Sequence, residues 1–330
     1  MRITVLGAGN WGTTAALLLH GNGHRVRLWE FYEPLARDII KNRENKRYLE
    51  GFYLPEEITV TWSIGEAVEG AEIIIFVVPS SVMRQTARLL HETVELHEDV
   101  IFVSLSKGLE HDTVKTMTEV IGDEIAGHRM VAMSGPCIAS EVARGLPTTI
   151  VSASQDAEAA RILQDVFMTP RFRVYSSDDP LGVQLGGALK NIIAIAAGMN
   201  DGLGFGSNAK SALITRGIVE MVRFGVSLGA RSETFNGLSG IGDLITTCFS
   251  AYSRNRYLGE EIGKGRSLRD ILDEMVMVAE GVPTTRTVYE FSLQQHIEMP
   301  ITGNVYGVLF EGIPAEKAVH GLMQREKKSE

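Results

Sequence analysis

A glycine-spaced turn near the start of the chain is the feature that most constrains its fold. Gly7, Gly9 and Gly12 form a G-x-G-x-x-G pattern. An apolar run at residues 3–6 precedes the pattern, and a helical segment at residues 13–20 follows it. The first glycine permits a tight turn, the second lets the backbone approach a pyrophosphate, and the third lets helix and strand pack closely. The pattern therefore predicts the first βαβ unit of a dinucleotide-binding domain.

An acidic residue supports this interpretation over a glycine turn that serves only packing. A second strand-like run at residues 26–29 ends at Glu30, about 20 residues beyond the glycines, where the fingerprint places a ligand of the ribose hydroxyls. A 2′-phosphate there would meet a like charge, and Phe31 supplies no cation to offset it. We expect NAD(H) to be used at least as well as NADP(H). Trp11 either covers part of the cofactor or is a packed core aromatic.

The first half of the chain alternates short apolar runs with helical segments. Continuous apolar runs are typical of strands buried on both faces of a parallel sheet, and their alternation with helices predicts βαβ units. The strand-like runs are residues 3–6, 26–29, 73–78, 100–104, 130–133, 149–152 and 173–175.

Strand-like runs end near residue 178, where the Asp-Asp-Pro sequence at residues 178–180 is a helix-start signal. The sequence predicts an α/β fold in which a Rossmann-like, doubly wound N-terminal domain at residues 1–178 precedes an all-α C-terminal domain at residues 179–330. The charged tail at residues 325–330 is expected to fray. The predicted helices of the second domain are residues 185–197, 211–228, 268–274 and 284–295.

Net charge and cysteine usage restrict the expected binding partners and the cellular compartment. The formal net charge of −9 argues against nucleic acid as the main partner. Cys137 and Cys248 are isolated thiols without metal-ligand spacing, so we expect no disulfide, no metal and a reducing compartment. The glycine turn begins too early to leave room for a signal peptide, and the longest apolar run, residues 73–79, is too short to span a bilayer. We expect a soluble, cytoplasmic protein.

Small or charged residues follow three of the predicted strands. They occur at residues 77–80, 106–108 and 134–137, and the second of these segments contains Lys107. The carboxyl ends of parallel strands share one edge of a sheet, where open α/β folds bind their ligands. The segments therefore predict a ligand crevice at this edge.

Lys190 lies in an otherwise apolar predicted helix. In one interpretation its ammonium snorkels to solvent. In the other it is partly desolvated, its pKa falls toward neutrality, and it serves as the general base for an alcohol. Asn191, next to it, is positioned to bind substrate or a water molecule.

Three later segments carry polar residues with two possible roles. Asp243 is either a helix cap or a partner for Lys190. The segment Ser253-Arg254-Asn255-Arg256 either binds a phosphate or lies on a solvated surface. Glu280 is either a first-turn acid favoured by the helix dipole or a site residue.

Eight segments in order, GAGNWGT, FVVPS, SLSKGLE, SGPCIASEVARG, ALKNIIAIAAG, GIGDLITTC, SRNR and AEGVPT, resemble the soluble, NAD(P)-dependent glycerol-3-phosphate dehydrogenases over nearly the whole chain. The resemblance implies interconversion of dihydroxyacetone phosphate and sn-glycerol 3-phosphate by hydride transfer, with NAD as the cofactor and NADP possible. It also implies a Rossmann domain followed by a helical domain, a supply of glycerol phosphate for phospholipid synthesis, and a homodimer.

The resemblance assigns roles residue by residue. Lys190 is the proton acceptor, and Lys107 and Asp243 complete the catalytic set. The residues implied in substrate binding are Lys107, Gly135, Cys137, Lys190, Asn191, Asp243, Thr247, Ser253, Arg254 and Asn255. Those implied in cofactor binding are Gly7, Gly9, Asn10, Trp11, Gly12, Glu30, Phe31, Lys107, Ala139, Arg254, Val278 and Glu280.

This sequence departs from the family at two positions. Cys137 stands where bacterial members usually have Ser or Thr, so a backbone contact would survive but a hydroxyl contact would not. Phe31 stands where they often have His or Arg, which bears on coenzyme preference.

Two alternatives remain at this stage. A β-hydroxyacid or 6-phosphogluconate-type dehydrogenase shares the two-domain plan and a helical lysine but recognises a carboxylate. A catalytically silent NAD(H)-sensing regulator needs the cofactor site, but it does not need Lys107, Lys190 and Asp243 together.

Overall fold

The computed structural model describes residues 1–324, so the tail predicted to fray at residues 325–330 lies outside the described residues. The chain divides into two compact units. Unit 1 comprises Met1–Lys107 and Lys115–Gln184, and unit 2 comprises Gly108–Val114 and the chain from Leu185 onward. The sequence-based domain boundary at residue 178 stays a prediction.

Unit 1 is built on an eight-stranded sheet with the order β3-β2-β1-β4-β5-β6-β7-β8. The strands are β1 (Arg2–Leu6), β2 (Arg25–Trp29), β3 (Thr59–Thr61), β4 (Ile73–Phe76), β5 (Ile101–Ser104), β6 (Arg129–Ser134), β7 (Thr148–Ala153) and β8 (Phe172–Ser177). The first six strands in this order, β3 through β6, are mutually parallel. Strand β7 pairs with β6 in the antiparallel direction. The order reverses between β1 and β4, as in a doubly wound fold. The predicted Rossmann-like class is confirmed.

Burial on both faces explains why the strands read as continuous apolar runs. In β4, Ile73 and Ile75 pack into the hydrophobic core on one face, whereas Ile74 and Phe76 pack into the core on the other. Sequence reasoning missed β3, because three residues are too few to establish a periodicity.

Helices cover the sheet of unit 1, and most are short. They are α1 (Asn10–Gly21), α2 (Glu33–Asn42), α3 (Ile64–Val68), α4 (Met83–Thr93), α5 (Met117–Glu124), α6 (Ala139–Ala143) and α7 (Ala157–Phe167). Side-chain capping fixes the first residue of two of these helices, α5 and α7. Thr116 and Glu119 form a capping box at α5, and the Asp156 side chain accepts backbone N–H bonds at α7.

Unit 2 is helical, which confirms the predicted class of the second domain. Its helices are α8 (Pro180–Gly202), α9 (Gly206–Ser227), α10 (Asp243–Phe249), α11 (Arg254–Gly263), α12 (Leu268–Glu274), α13 (Gly281–Gln294), α14 (Pro300–Phe310) and α15 (Ala315–Met323). The first residues of α8, through Gln184, belong to unit 1. All four helices predicted for this region are present, and α8 and α9 begin five residues earlier than predicted.

Helix α8 has 23 residues and starts where the Asp-Asp-Pro signal places it. Asp179 Oδ1 accepts the Gly182 N–H at 2.9 Å and so caps the helix. By length and composition α8 could cross a membrane, but 94% of its apolar window is buried inside the protein. It is therefore a core helix.

Candidate active site

The glycine turn of unit 1 has the geometry of a phosphate cradle. Gly7 has a φ of +109°, and a Cβ on Gly12 would lie 1.8 Å from the Gly7 carbonyl oxygen. Helix α1 begins at Asn10, and its N-cap residue, Gly9, has no side chain to cap the first turn. A Cβ on Gly9 would meet no atom within 4 Å, so the start of α1 is open at this residue, which fits a dinucleotide pyrophosphate.

Glu30 lies beside this turn. Its Oε1 accepts the Tyr32 N–H at 3.0 Å. Burial raises the pKa of Glu30, while the N–H groups of Tyr32 and Ala8 and the charge of Arg47 oppose the shift. Phe31 is 69% exposed, and its ring meets the Trp29 ring edge-on at 6.1 Å.

Two predicted residues from separate segments of unit 1, Lys107 and Trp11, converge on the Cys137 sulfur. Lys107 Nζ donates to the Gly135 carbonyl oxygen at 3.0 Å and lies 3.7 Å from Cys137 Sγ. The Trp11 indole N–H donates to the same sulfur at 3.1 Å. Trp11 is thus both a packed aromatic and a hydrogen-bond donor at the loop that follows β6.

Helix α6 is joined to α1 close to this cluster. Ala139 is the first residue of α6, and its carbonyl oxygen accepts the Thr14 hydroxyl at 3.4 Å. The same hydroxyl lies 2.8 Å from the Asn10 carbonyl oxygen. The predicted cofactor residues Asn10 and Ala139 therefore belong to one connected region of unit 1.

Lys190, Asp243 and Thr247 form the most buried ionic group among the predicted site residues of unit 2. Lys190 Nζ lies 2.6 Å from Asp243 Oδ1, and their side chains are 7% and 3% exposed. Lys190 Nζ also donates to Thr247 Oγ1 at 2.6 Å, and the Thr247 hydroxyl donates to the Asp243 carbonyl oxygen at 2.7 Å. The ammonium does not snorkel to solvent. Asp243 is not a helix cap either, because Gly242 occupies that position.

Asn191 and Asn255 form a buried hydrogen-bonded pair next to this group. Asn255 Nδ2 donates to Asn191 Oδ1 at 2.9 Å, and Asn255 Oδ1 accepts the Gly281 N–H at 2.9 Å. The Asn255 side chain therefore links α8, α11 and α13.

The start of α11 carries the predicted phosphate residues. Ser253 Oγ accepts the Arg256 N–H at 3.2 Å and caps the helix. The half-buried Arg254 guanidinium donates to the Val278 carbonyl oxygen at 2.8 Å. Burial lowers the pKa of Arg254, and the charge of Glu280 opposes the shift. Glu280 is the N-cap residue of α13, but its side chain makes no capping bond.

Comparison with known proteins identifies the family. The sequence model for the N-terminus of NAD-dependent glycerol-3-phosphate dehydrogenase matches residues 2–160, and the model for the C-terminus matches residues 179–320. The chain belongs to the NAD-dependent glycerol-3-phosphate dehydrogenase family. The resemblance read from the sequence is therefore confirmed.

Close relatives and a solved structure support the assignment to the glycerol-3-phosphate dehydrogenases. The chain is 50% identical to the NAD(P)+ enzyme of Chlorobium phaeobacteroides strain BS1 over 100% of its own length and 99% of that protein. It is 48% identical to the enzyme of Thermoanaerobacter sp. strain X514, with the same coverage. The crystal structure of the Coxiella burnetii enzyme superimposes with a TM-score of 0.95 at 36% identity, covering 98% of this chain and 99% of that one. These relatives do not favour the two alternative functions.

Sequence reasoning missed two sets of charged contacts that the structure shows. Arg47 is the cation whose charge acts on Glu30, although no sequence spacing links the two. Asp201, Lys210 and Arg256 form a cluster in unit 2. Arg256 belongs to the SRNR segment considered for phosphate binding, but no sequence signal links it to Asp201 or Lys210. Burial raises the pKa of the Cys248 thiol to about 12, so this cysteine stays protonated.

Proposed function

We propose that Lys190 is the proton donor and acceptor when this chain interconverts dihydroxyacetone phosphate and sn-glycerol 3-phosphate. The observation that carries the proposal is the buried contact of 2.6 Å between Lys190 Nζ and Asp243 Oδ1. A buried amine held by a carboxylate and a hydroxyl has a fixed direction, as proton transfer requires.

The chemistry divides into a hydride step and a proton step. Bound NAD(P)H supplies the hydride that converts the ketone carbon into the alcohol carbon. The Lys190 ammonium polarises the ketone oxygen and donates the proton that completes the hydroxyl group. In the reverse direction the neutral amine accepts that proton. Asp243 and Thr247 hold Lys190 in place, and Lys107 is the second cation for the substrate oxygens.

The start of α11 is the proposed phosphate site. The backbone N–H groups of Arg254 and Asn255 belong to the first turn and lack intrahelical acceptors. Arg254 adds a charged fork of donors, and the helix dipole favours an anion there. Ser253, as the N-cap, holds the turn in shape. Gly135 and Cys137 are the proposed substrate contacts in unit 1.

Unit 1 supplies the proposed dinucleotide site. Gly7, Gly9 and Gly12 cradle the pyrophosphate, and Glu30 accepts hydrogen bonds from the ribose hydroxyls. Because Glu30 would repel a 2′-phosphate, we propose that NADH is used at least as well as NADPH. The other proposed contacts are Asn10, Trp11, Phe31, Lys107, Ala139, Arg254, Val278 and Glu280.

We propose that the enzyme is a cytoplasmic homodimer that supplies glycerol phosphate for phospholipid synthesis. The dimer and the compartment rest on the family resemblance and on a chain with two buried, unpaired cysteines. Mass measurement by light scattering tests the dimer, and a monomer at micromolar concentration would contradict it.

The decisive test follows NADH oxidation after addition of dihydroxyacetone phosphate. Wild type is expected to turn over. Lys190→Ala is expected to bind NADH normally and to lose at least about 10²-fold in kcat, the typical share of positioned acid–base catalysis. A wild type that oxidises no cofactor with this substrate would overturn the function, whereas full turnover in Lys190→Ala would overturn only the role of Lys190.

A further inference from the structure

Asp201, near the end of α8, binds two cations. Lys210 Nζ lies 3.0 Å from Asp201 Oδ1 and 2.7 Å from Oδ2, and Arg256 Nε donates to Oδ2 at 2.7 Å. The side chains of Asp201, Lys210 and Arg256 are 18%, 8% and 20% exposed. We call these three residues the Asp201 cluster. The proposed proton transfer and cofactor binding use none of them.

The Asp201 cluster connects two functional helices. Asp201 lies about three turns beyond Lys190 on the same face of α8. Arg256 lies in the first turn of α11, next to Arg254 and Asn255. Its backbone N–H is bound to the Ser253 cap at 3.2 Å, and its side chain is bound to Asp201. The cluster therefore ties the helix that carries the base to the turn that carries the proposed phosphate site.

Backbone packing makes this tie rigid. A Cβ on Gly198 would lie 2.0 Å from the Arg256 carbonyl oxygen, and a Cβ on Gly259 would lie 2.0 Å from the Ile195 carbonyl oxygen. Helices α8 and α11 thus touch through their backbones. This packing fixes the spacing of the two helices, while the Asp201–Arg256 contact and the Ser253 cap bond both act on Arg256 in the first turn of α11.

Burying three charged side chains is costly, and apolar residues of similar volume would often serve stability equally well. The arrangement is better explained by orientation. We propose that Asp201 is a positioning residue for the substrate phosphate, because it holds Arg256 and hence the N–H groups and the Arg254 side chain at the start of α11. This inference rests on the proposed phosphate site.

The test compares Asp201→Asn with Glu261→Gln, using dihydroxyacetone phosphate and unphosphorylated dihydroxyacetone as substrates. Glu261 is a matched control, because it lies on α11 and also binds a lysine and an arginine, Lys264 at 2.9 Å and Arg266 at 3.1 Å. Asp201→Asn is expected to raise KM for the phosphorylated substrate at least about tenfold, as expected for a misplaced binding group. KM for dihydroxyacetone should stay near wild type, and Glu261→Gln should change KM for neither substrate. KM for NADH is measured alongside, because Arg254 is also a proposed cofactor contact.

A second pair of variants covers the case in which Asp201→Asn does not fold. Arg256→Lys keeps the charge and should retain more of the preference for the phosphorylated substrate than Arg256→Met. The inference would be overturned if Arg256→Lys and Arg256→Met preferred the phosphorylated substrate equally. It would also be overturned if Asp201→Asn folded and kept the wild-type preference for that substrate. Failure of the underlying function looks different, because wild type itself would then show no activity or no preference for the phosphorylated substrate.

Discussion

Lys190 and Asp243 form a buried ion pair, with the ammonium nitrogen 2.6 Å from a carboxylate oxygen. Two effects oppose each other there. Burial disfavours the ammonium form of the lysine, whereas the carboxylate favours it. We therefore expect the charge of Asp243 to set the pH at which Lys190, the proposed base, loses its proton.

Asp243→Asn removes the charge and keeps the side-chain shape. We expect the rising limb of kcat/KM for glycerol phosphate oxidation to move to lower pH, because the buried amine loses its counter-charge and deprotonates more readily. We also expect kcat to fall on the order of 10²-fold. The measurement is the pH profile of both variants from pH 5 to 10. Thr247→Val is the control, since it removes a hydrogen bond but keeps the ion pair. An unchanged limb in Asp243→Asn would contradict this account.

Arg254→Ala should weaken phosphate recognition. A hydrogen bond to a charged group contributes about 1.5–3 kcal/mol, so we expect a loss of roughly 10- to 150-fold in kcat/KM for dihydroxyacetone phosphate. Activity with unphosphorylated dihydroxyacetone should change little. Arg266→Ala, which removes partly exposed ion pairs in the same unit, is the control. Equal losses with both substrates would remove Arg254 from the phosphate site. NADH affinity is measured in the same variant, because Arg254 is also a proposed cofactor contact.

Glu30 should set the coenzyme preference. Two arginines near the second strand are already engaged: Arg27 donates to the Glu66 and Glu69 carbonyl oxygens, and Arg37 pairs with Glu33. Arg47 is the cation whose charge acts on Glu30. A repulsion of about 1.4 kcal/mol already gives tenfold discrimination. We expect kcat/KM with NADH to equal or exceed that with NADPH, and Glu30→Ala to shift the ratio toward NADPH. A strong wild-type preference for NADPH would refute the proposal, and an unchanged ratio in Glu30→Ala would exclude Glu30 as its cause.

Glu220 should make stability depend on pH. This buried carboxyl on α9 accepts the Ile301 N–H at 2.5 Å and the Thr302 N–H at 3.1 Å, and so caps α14. Burial raises its pKa from 4.5 to about 7 despite these bonds. The folded protein therefore holds the proton more tightly than the unfolded chain. The stabilisation is fully present below pH 4.5 and is lost as pH rises through 7, by at most about 3 kcal/mol.

Glu220→Gln tests this linkage, because glutamine cannot ionise. The free energy of unfolding of wild type should fall relative to that of Glu220→Gln as pH rises from 4.5 to 7. Urea unfolding at several pH values measures both. Glu290→Gln, an exposed substitution on α13, serves as the control and should show a nearly constant difference. A Glu220→Gln difference that does not vary with pH would show that the carboxyl ionises normally.

The sequence alone determined the features that depend on local pattern. The glycine pattern specifies a tight turn and a helix start within six residues. The turn role of Gly7 and the packing role of Gly12 could therefore be predicted without a structure. Continuous apolar runs indicated strands buried on both faces, and the change of pattern near residue 178 indicated a helical second half. The sequence did not predict strand β3, because three residues are too few to show a periodicity.

Only the tertiary structure excluded one of the two interpretations of Lys190 and of Asp243. Lys190 and Asp243 are 53 residues apart in the chain, and Asn191 and Asn255 are 64 apart. No local spacing encodes such contacts, because they arise when separate helices pack. The same lysine could have reached solvent, and Asp243 could have capped a helix. The packing of α8 against α10 and α11 buries the ammonium, brings the carboxylate to it, and binds Arg256 to Asp201 beside the proposed phosphate site.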